Sequence, residues 1–341
     1  MDKEIMANFS NLYESQKRVK AGKKFNSGTA RFSNMSLEGT QMLKEQLENQ
    51  TYKINPYNRF MIREPKERVI ESCAFKDKVV QRCFSDYILT PKLENILIKW
   101  NTAGQQGKGQ HMAMDGLRDQ MLDFYKRNGL NGWIVKCDIH KYFYSIDHEV
   151  VKDVLDYYFD DEFTAWLNHL FIESTDNPGL PLGNQVNQKY ALLLLHSLDQ
   201  LITIEFGNPY YGRYNDDFYV ICKTKEDTRE ILEAIQMMVG SLNLELNPKS
   251  QIVPLRMGLC YLGFHHYITD DGKYIRKLRG DKKRKTQKKV RRWVKAVNDG
   301  KMSKEKFEEK YRSVKDHMLH GNCVKLCRSM DLEAERRMND S

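Results

Sequence analysis

Residues 133–148 read WIVKCDIHKYFYSIDH. The first six residues form a short, nearly continuous apolar run, which is typical of a buried β-strand, and this run ends on an acid, Asp138. Residues 210–221 alternate around Asn215-Asp216-Asp217, as the two strands of a β-hairpin would. Acids are unexpected at both places, because Asp138 is the last residue of a buried strand and Asp216-Asp217 puts two like charges among the aromatic residues of a hairpin.

The adjacent carboxylates of Asp216 and Asp217 repel each other, and partial burial increases that repulsion. A bound divalent cation removes the penalty, and Mg²⁺ prefers oxygen ligands while keeping positions open for water and phosphates. Two such ions about 4 Å apart can activate a 3′-hydroxyl and stabilise a leaving pyrophosphate. The Asp pair taken alone fits a solvated turn better, since Asn-Asp is common in turns. The choice between a metal site and a solvated turn therefore depends on the neighbouring segments.

Charge is concentrated in one window of the chain. The 341 residues contain 55 Lys and Arg and 46 Asp and Glu, which is a net charge of +9. Thirteen of the basic residues lie between Lys273 and Lys295, with Asp281 as the one acid among them. Such a field attracts a polyanion with an affinity that falls as salt rises. A solvated basic helix is the alternative, but the interleaved Tyr274 and Trp293 favour nucleic acid.

The composition, 40 % hydrophobic and 30 % charged, excludes a disordered chain. The longest aliphatic run, Ala191–Leu195, is far shorter than the roughly 20 residues of a membrane span. The first residues do not resemble a signal peptide, and the seven scattered cysteines fit a reducing compartment. We therefore expect a cytoplasmic protein without a membrane partner.

Most of the remaining chain has helical periodicity. Helices are predicted at 36–47, at 75–98 with an interruption near Pro91, at 112–125 and at 188–205. Another hairpin is predicted around Asp270-Asp271-Gly272.

Three segments together resemble prokaryotic reverse transcriptases. Residues 136–148 resemble the family's first catalytic block, GLPLGNQVNQ at 179–188 its template and nucleotide block, and YNDD at 214–217 its Tyr-x-Asp-Asp box. The blocks follow the family's order and spacing. Further similar segments are EPKERVI at 64–70, FKDKVVQ at 75–81, LNPK at 246–249 and YLGF at 261–264. The resemblance covers residues 52–332.

The resemblance implies an α+β right-hand polymerase that makes DNA on an RNA template. It divides the chain into an N-terminal helical segment (1–50), fingers (51–130), a palm with an antiparallel sheet (131–268) and a basic helical thumb (269–341). The expected partners are an RNA template, a DNA or RNA primer and dNTPs. A non-catalytic RNA-binding protein is disfavoured by the three intact acids, and an RNA-dependent RNA polymerase is disfavoured by Phe143.

The resemblance also implies roles for individual residues. Asp138, Asp216 and Asp217 would be the catalytic residues. Asp138 and Asp216 would hold two Mg²⁺ ions, for which Mn²⁺ could substitute, with the Ile139 carbonyl as a further ligand and Asp217 beside them in the metal site. The nucleotide would contact Lys66 and Arg68 through its triphosphate, Phe143 through its sugar, and also Leu182, Gly183, Gln188 and Lys249. The primer and template would contact Tyr261, Leu262, Gly263, Phe264, Lys282, Lys283, Arg284 and Lys285.

Plainer interpretations exist for several of these residues. Lys66 and Arg68 could belong to a solvated loop, Phe143 to the core, and Lys249 to the surface, while YLGF could be ordinary strand packing. His317, His320, Cys323 and Cys327 have a spacing compatible with zinc, but a thumb helix explains them better. The glycine-rich residues 104–109 lack P-loop spacing and are expected to contact the template backbone.

Leu182 indicates a branch of the family. Reverse transcriptases of diversity-generating retroelements have an aliphatic residue at this position, where most relatives have Gln. Asn187 departs from that pattern, which has Ser there. The alternative is therefore an antiphage-defence enzyme that works with a dedicated structured RNA. Enzymes of the diversifying branch also bind a small basic barrel-like accessory protein, which makes such a partner plausible.

Overall fold

The structure, a computed structural model, describes residues 1–21, 36–63 and 67–339. Helices and three antiparallel sheets build an α+β protein, as the sequence predicted. The helices are α1 (Asp2–Met6), α2 (Phe9–Lys20), α3 (Ser36–Glu48), α4 (Phe75–Phe84), α5 (Thr90–Ile96), α6 (Gln110–Asn128), α7 (Tyr142–Ser145), α8 (His148–Tyr158), α9 (Glu162–Ile172), α10 (Gln185–Leu194), α11 (His196–Gln200), α12 (Lys225–Ser241), α13 (Gly280–Asn298), α14 (Lys304–Leu319) and α15 (Val324–Asn339). Among these described helices, none has both the length and the apolar character needed to cross a membrane.

The central sheet has the strand order β4-β5-β3-β6. Its strands are β3 (Trp133–Asp138), β4 (Tyr211–Tyr214), β5 (Asp217–Cys222) and β6 (Gln251–Pro254). Val135 packs on the large helical core that includes α12, whereas Ile134 packs on the opposite face against α6. Burial on both faces explains why this strand is an apolar run without alternation. The predicted strand at 133–138 and the hairpin around Asp216 are both confirmed.

The predicted helix at 75–98 runs through a π-helical turn at Ser85–Leu89. Pro91 follows in the first turn of α5, where a residue without an N–H group loses no helical hydrogen bond. The helix predicted at 188–205 is similarly divided into α10, α11 and a π-helical turn at Leu201–Glu205.

Two smaller sheets are separate from the central one. The two-stranded hairpin of β1 (Asn58–Ile62) and β2 (Arg68–Ser72) lies in the segment expected to form fingers. The third sheet consists of β7 (Leu259–Tyr261), β8 (Phe264–Ile268) and β9 (Tyr274–Leu278), which includes the hairpin predicted at 270–272. Because β9 pairs with β8, this sheet crosses the expected boundary between residues 268 and 269. Helices α13–α15 pack around a core of their own that also contains Phe264.

Candidate active site

The three acids meet at one end of the central sheet. Strand β3 ends at Asp138 and strand β5 begins at Asp217, and the two residues are directly opposite each other in the antiparallel register. Asn215 and Asp216 form the two-residue turn between β4 and β5. Asn215 has a φ of 56°, a left-handed conformation that asparagine adopts more readily than most residues. The local pairing therefore places Asp216 next to the Asp138–Asp217 pair.

Several charged side chains act on Asp216. The pKa of Asp216 is raised to about 6, first because the carboxyl is buried and then because the Asp138 charge opposes its ionisation. The positive charges of Lys136 and Arg68 partly counter this rise. Two carboxylates with such mutual repulsion fit a divalent cation, which would neutralise both.

Lys136 engages the third acid. Its ammonium group forms an ion pair with Asp217 and lies 5.4 Å from the centre of the Tyr261 ring. Burial lowers the pKa of Lys136 to about 8, against the opposing effect of nearby Asp138 and other acidic groups. Within the described residues, no set of three or more His, Cys, Asp and Glu side chains converges to hold a metal. The donors that fit Mg²⁺ are thus two carboxylates, from Asp138 and Asp216, together with a main-chain oxygen.

The Ile139 carbonyl is a suitable main-chain oxygen. The Asn247 N–H donates to the Asp138 carbonyl at 2.7 Å, and the His140 N–H donates to the Glu245 carbonyl at 2.8 Å. These bonds flank an antiparallel bridge between Ile139 and Leu246. In such a non-hydrogen-bonded pair the backbone groups of the central residue face away from the partner. The Ile139 carbonyl is therefore directed towards the side of β5, where Asp216 lies.

The residues expected to bind the nucleotide come from four segments, one of which is the nucleotide block at 179–188. Lys66 lies outside the described residues, whereas Arg68 opens β2 and its charge reaches Asp216. Phe143 is half-buried in α7. Lys249 is exposed, and its N–H donates to the Asn247 side-chain oxygen at 3.1 Å. The charge of Arg68 thus acts on Asp216 from an exposed position, and the nucleotide-binding roles of Arg68 and Lys249 stay predictions.

The nucleotide block docks against the fingers hairpin. The Glu71 N–H donates to the Leu182 carbonyl at 3.3 Å, and a Cβ on Gly183 would lie 3.3 Å from a methyl carbon of Ile70. Gly183 has a φ of 112°, so a larger residue here would be strained as well as crowded. Half-buried Leu182 lines a cleft of about 290 Å³ between this hairpin and the 175–182 segment, while Gln188 is exposed on α10.

The segment expected to position the primer forms the turn between β7 and β8. Tyr261 and Phe264 are buried beneath it, so their side chains support the turn. Leu262 and Gly263 adopt positive φ values of 47° and 92°, and the Gly263 carbonyl accepts from the Arg279 N–H at 3.2 Å. A Cβ on Gly263 would lie 3.7 Å from a side-chain carbon of Lys282. The exposed residues 282–285 of α13 therefore begin beside this turn.

The four thumb residues with zinc-like spacing face different neighbours. Cys323 and Cys327 are buried in the thumb core. The His317 ring lies 5.2 Å from the Phe264 ring, and the His320 ring lies 3.6 Å from that of His111. These are packing contacts of two helices, α14 and α15, and of the segment that joins them.

Three features of the site did not follow from the sequence patterns. They are the ion pair of Lys136, the bonds from Asn247 to Asp138, and a buried pair between Arg213 and Asp199 behind the turn. The ion pair of Lys136 could have been predicted from its position inside an apolar strand, since lysine is almost never buried without a partner.

A match to a protein-family model agrees with this arrangement. A family model described as reverse transcriptase (RNA-dependent DNA polymerase) matches residues 62–266. A search of curated protein sequences gave no match. Similar solved structures include apo telomerase from Candida tropicalis, with 11 % identity, a TM-score of 0.49 and coverage of 64 % of this chain and 48 % of that one.

Two further structures are similar to the same extent. Telomerase from Candida albicans in complex with a TWJ fragment of telomeric RNA has 10 % identity and a TM-score of 0.49, covering 72 % of this chain and 50 % of that one. Apo telomerase from Candida tropicalis truncated from its C-terminal domain has 11 % identity and a TM-score of 0.50, covering 68 % and 58 %.

The chain spans about half the length of these telomerases. At 11 % identity, the likeness to the truncated Candida tropicalis telomerase, with its TM-score of 0.50, concerns the fold alone. The family model, by contrast, covers more than half of the chain and includes all three acids of the site. The chain therefore belongs to the reverse transcriptase (RNA-dependent DNA polymerase) family.

Proposed function

We propose that this protein is an RNA-directed DNA polymerase that extends a DNA or RNA primer with dNTPs on an RNA template. The observation that carries the proposal is the meeting of Asp138 and Asp216, whose charges oppose each other, at a site that the Arg68 charge also reaches. This combination suits a triphosphate brought in with its divalent cations.

The residues would divide the work of nucleotidyl transfer. Asp138, Asp216 and the Ile139 carbonyl would hold two Mg²⁺ ions, or Mn²⁺ in their place. When bound, these ions supply activation of the 3′-hydroxyl and stabilisation of the pyrophosphate. Lys66 and Arg68 would neutralise the triphosphate, and Lys249 would deliver a proton to the leaving pyrophosphate. The Lys136–Asp217 pair keeps a buried positive charge beside the ligating acids.

Primer extension with Mg²⁺ tests this proposal. The parent protein should extend a DNA primer on RNA with dNTPs, and Asp216→Asn should abolish synthesis while leaving thermal unfolding and RNA binding nearly unchanged. Asp153→Asn makes the same chemical change at an exposed position of α8 and should leave the rate unaltered. Extension by Asp216→Asn at the parental rate would overturn the two-metal assignment. Extension with rNTPs alone would indicate an RNA polymerase instead.

Within the family, we infer that the protein serves a diversity-generating retroelement. Leu182 supports this, because its aliphatic side chain lines the cleft beside the β1–β2 hairpin. Such a side chain can contact a bound nucleotide but cannot form hydrogen bonds with it. A lost hydrogen bond near a charged substrate is worth about 1–3 kcal/mol, which corresponds to a roughly ten- to hundredfold change in misincorporation. The parent should therefore misincorporate often, chiefly opposite template adenine, and Leu182→Gln should reduce these errors.

An antiphage-defence enzyme with a dedicated structured RNA is the second candidate. It is favoured by Asn187, which departs from the retroelement pattern and is buried, with its side-chain amide donating to the Pro181 carbonyl at 3.1 Å. Equal accuracy at adenine and at the other template bases would favour this role. Sequencing the RNA and cDNA that copurify with the protein separates the two, and the same preparation would reveal an accessory protein.

A further inference from the structure

A fully buried ion pair lies directly behind the catalytic turn. Arg213, in β4, and Asp199, in α11, are both 0 % exposed. The guanidinium contacts the carboxylate in a two-point arrangement, with Nε donating to Oδ1 at 2.7 Å and Nη2 donating to Oδ2 at 2.5 Å. Such a fork fixes the orientation of the guanidinium plane as well as its position.

Stability alone does not account for this pair. Removing two charges from water is expensive, and apolar residues of similar volume often serve equally well in a protein core. Both groups nonetheless stay charged, because the Arg213 charge and its hydrogen bonds hold the pKa of Asp199 below its usual value against the effect of burial. Asp199 accepts a further bond from the Tyr211 hydroxyl at 2.7 Å. The pair therefore has a high desolvation cost, which its charge–charge attraction and hydrogen bonds offset.

The third nitrogen of the guanidinium reaches the catalytic turn. Nη1 of Arg213 donates to the Asn215 carbonyl at 3.1 Å. That carbonyl belongs to the peptide plane that joins Asn215 to Asp216, and a peptide plane moves as a rigid unit. The bond consequently fixes the direction in which the Asp216 side chain leaves the turn.

The backbone of Arg213 is held independently. Its N–H donates to the Trp100 carbonyl at 3.0 Å, and its carbonyl accepts from the Thr102 N–H at 3.1 Å. Nη2 also donates to the Leu192 carbonyl of α10 at 3.1 Å. The side chain thus connects the turn to α10 and α11.

We propose that Arg213, oriented by Asp199, is a positioning residue that sets the Asp216 carboxylate relative to Asp138. This inference rests on the proposed polymerase function. It predicts that loss of the pair slows the chemical step more than it weakens nucleotide binding, and that it loosens the turn itself.

The test replaces both charges together, as Arg213→Met with Asp199→Leu, so that no buried charge is left without a partner. In primer extension on RNA with Mg²⁺, kcat should fall about 10- to 100-fold, as expected for one charged hydrogen bond, while KM for dNTP changes less than about threefold. Amide hydrogen exchange should be faster at residues 211–222 and unchanged at the thumb helices. Arg213→Lys, which keeps the charge but lacks the fork, should show the same loss of kcat.

A matched control uses a similar network elsewhere. Asp331 of α15 accepts from the Tyr311 hydroxyl at 2.8 Å and from Lys315 at 2.9 Å. Lys315→Met with Asp331→Leu should alter thermal unfolding without changing kcat. Parental kcat and parental exchange at 211–222 in the Arg213 variants would overturn the inference. If the parent protein extends no primer, the proposed function fails, and hydrogen exchange still decides whether Arg213 orders the turn.

Discussion

Asn247 binds Asp138 twice, through its backbone N–H to the Asp138 carbonyl at 2.7 Å and through its side-chain amide to the Asp138 carboxylate at 3.0 Å. The Asn247 side-chain oxygen also accepts from the Lys249 N–H at 3.1 Å. One asparagine therefore fixes both the strand end and the carboxylate that would bind metal.

Asn247→Ala should lower kcat about tenfold, because a hydrogen bond to a charged group contributes about 1.5–3 kcal/mol and here it orients a metal ligand. Asn247→Asp keeps an acceptor for the Lys249 N–H but places a like charge beside Asp138, so its loss should be at least as large. Asn95→Ala, which removes an exposed side-chain bond in α5, serves as the control in the same steady-state assay. Full activity of Asn247→Asp would show that the amide has no orienting role.

Phe143→Ala should admit ribonucleotides. The ring lies half-buried beside Tyr142, with ring centres 5.6 Å apart, and the Phe143 carbonyl accepts from the Leu180 N–H at 2.7 Å. This support makes the position rigid, and exclusion of a 2′-hydroxyl requires a rigid wall. The ratio of kcat/KM for dNTP and rNTP should fall by about tenfold or more, and Phe143→Tyr should retain it. An unchanged ratio accompanied by lower stability would assign Phe143 to the core.

The start of the basic helix should bind nucleic acid through phosphates. Changing Lys282, Lys283, Arg284 and Lys285 to Ala should weaken binding to all sequences. On single strands, the dependence of log K on log salt should also flatten by about 0.7 for each phosphate that is no longer neutralised. Lys301, Lys304, Lys306 and Lys325 are a control set of four lysines from other parts of the thumb, and their replacement should change the slope less. Equal slopes for parent and first variant would place residues 282–285 away from the RNA.

His266 should make the protein sensitive to acid. Its ring is fully buried, with Nε2 donating to the Tyr261 carbonyl at 3.1 Å and Nδ1 accepting from the Tyr274 hydroxyl. Burial lowers its pKa to about 3, so the unfolded chain, with a pKa of about 6.5, takes up a proton first as the pH falls. The stability associated with neutral His266 is therefore present above pH 6.5 and is lost progressively towards pH 3.

Urea unfolding between pH 7 and 4.5 measures this effect. The parent should lose about 2–3 kcal/mol more than His266→Gln over this interval. His169→Gln, which removes a histidine paired with Asp156 at the surface, should retain the parental loss. Parallel pH dependences for parent and His266→Gln would contradict the assignment.

Local patterns along the sequence were sufficient to predict the elements on which the three acids of the candidate site lie. The run at 133–138 is apolar because β3 is buried on both faces, and the alternation around Asn215-Asp216 reflects a hairpin, so each pattern depends on residues within one element. The family blocks then predicted the α+β fold and joined Asp138 to Asp216. The catalytic, nucleotide-binding and primer-binding roles of all the predicted site residues stay predictions, as do the domain boundaries.

The residues that support those acids depend on contacts between distant segments. Asn247 is 109 positions from Asp138, and Asp199 comes from a helix while its partner Arg213 lies in a strand, so neither relationship leaves a periodic pattern in the chain. The sequence motif grouped Tyr261 and Phe264 with Leu262 and Gly263 as one primer-binding segment. In the fold, the side chains of Tyr261 and Phe264 are buried and support the turn that Leu262 and Gly263 form. Hydrogen bonds between distant segments depend on how elements pack, and that packing is set by the whole core rather than by any one segment.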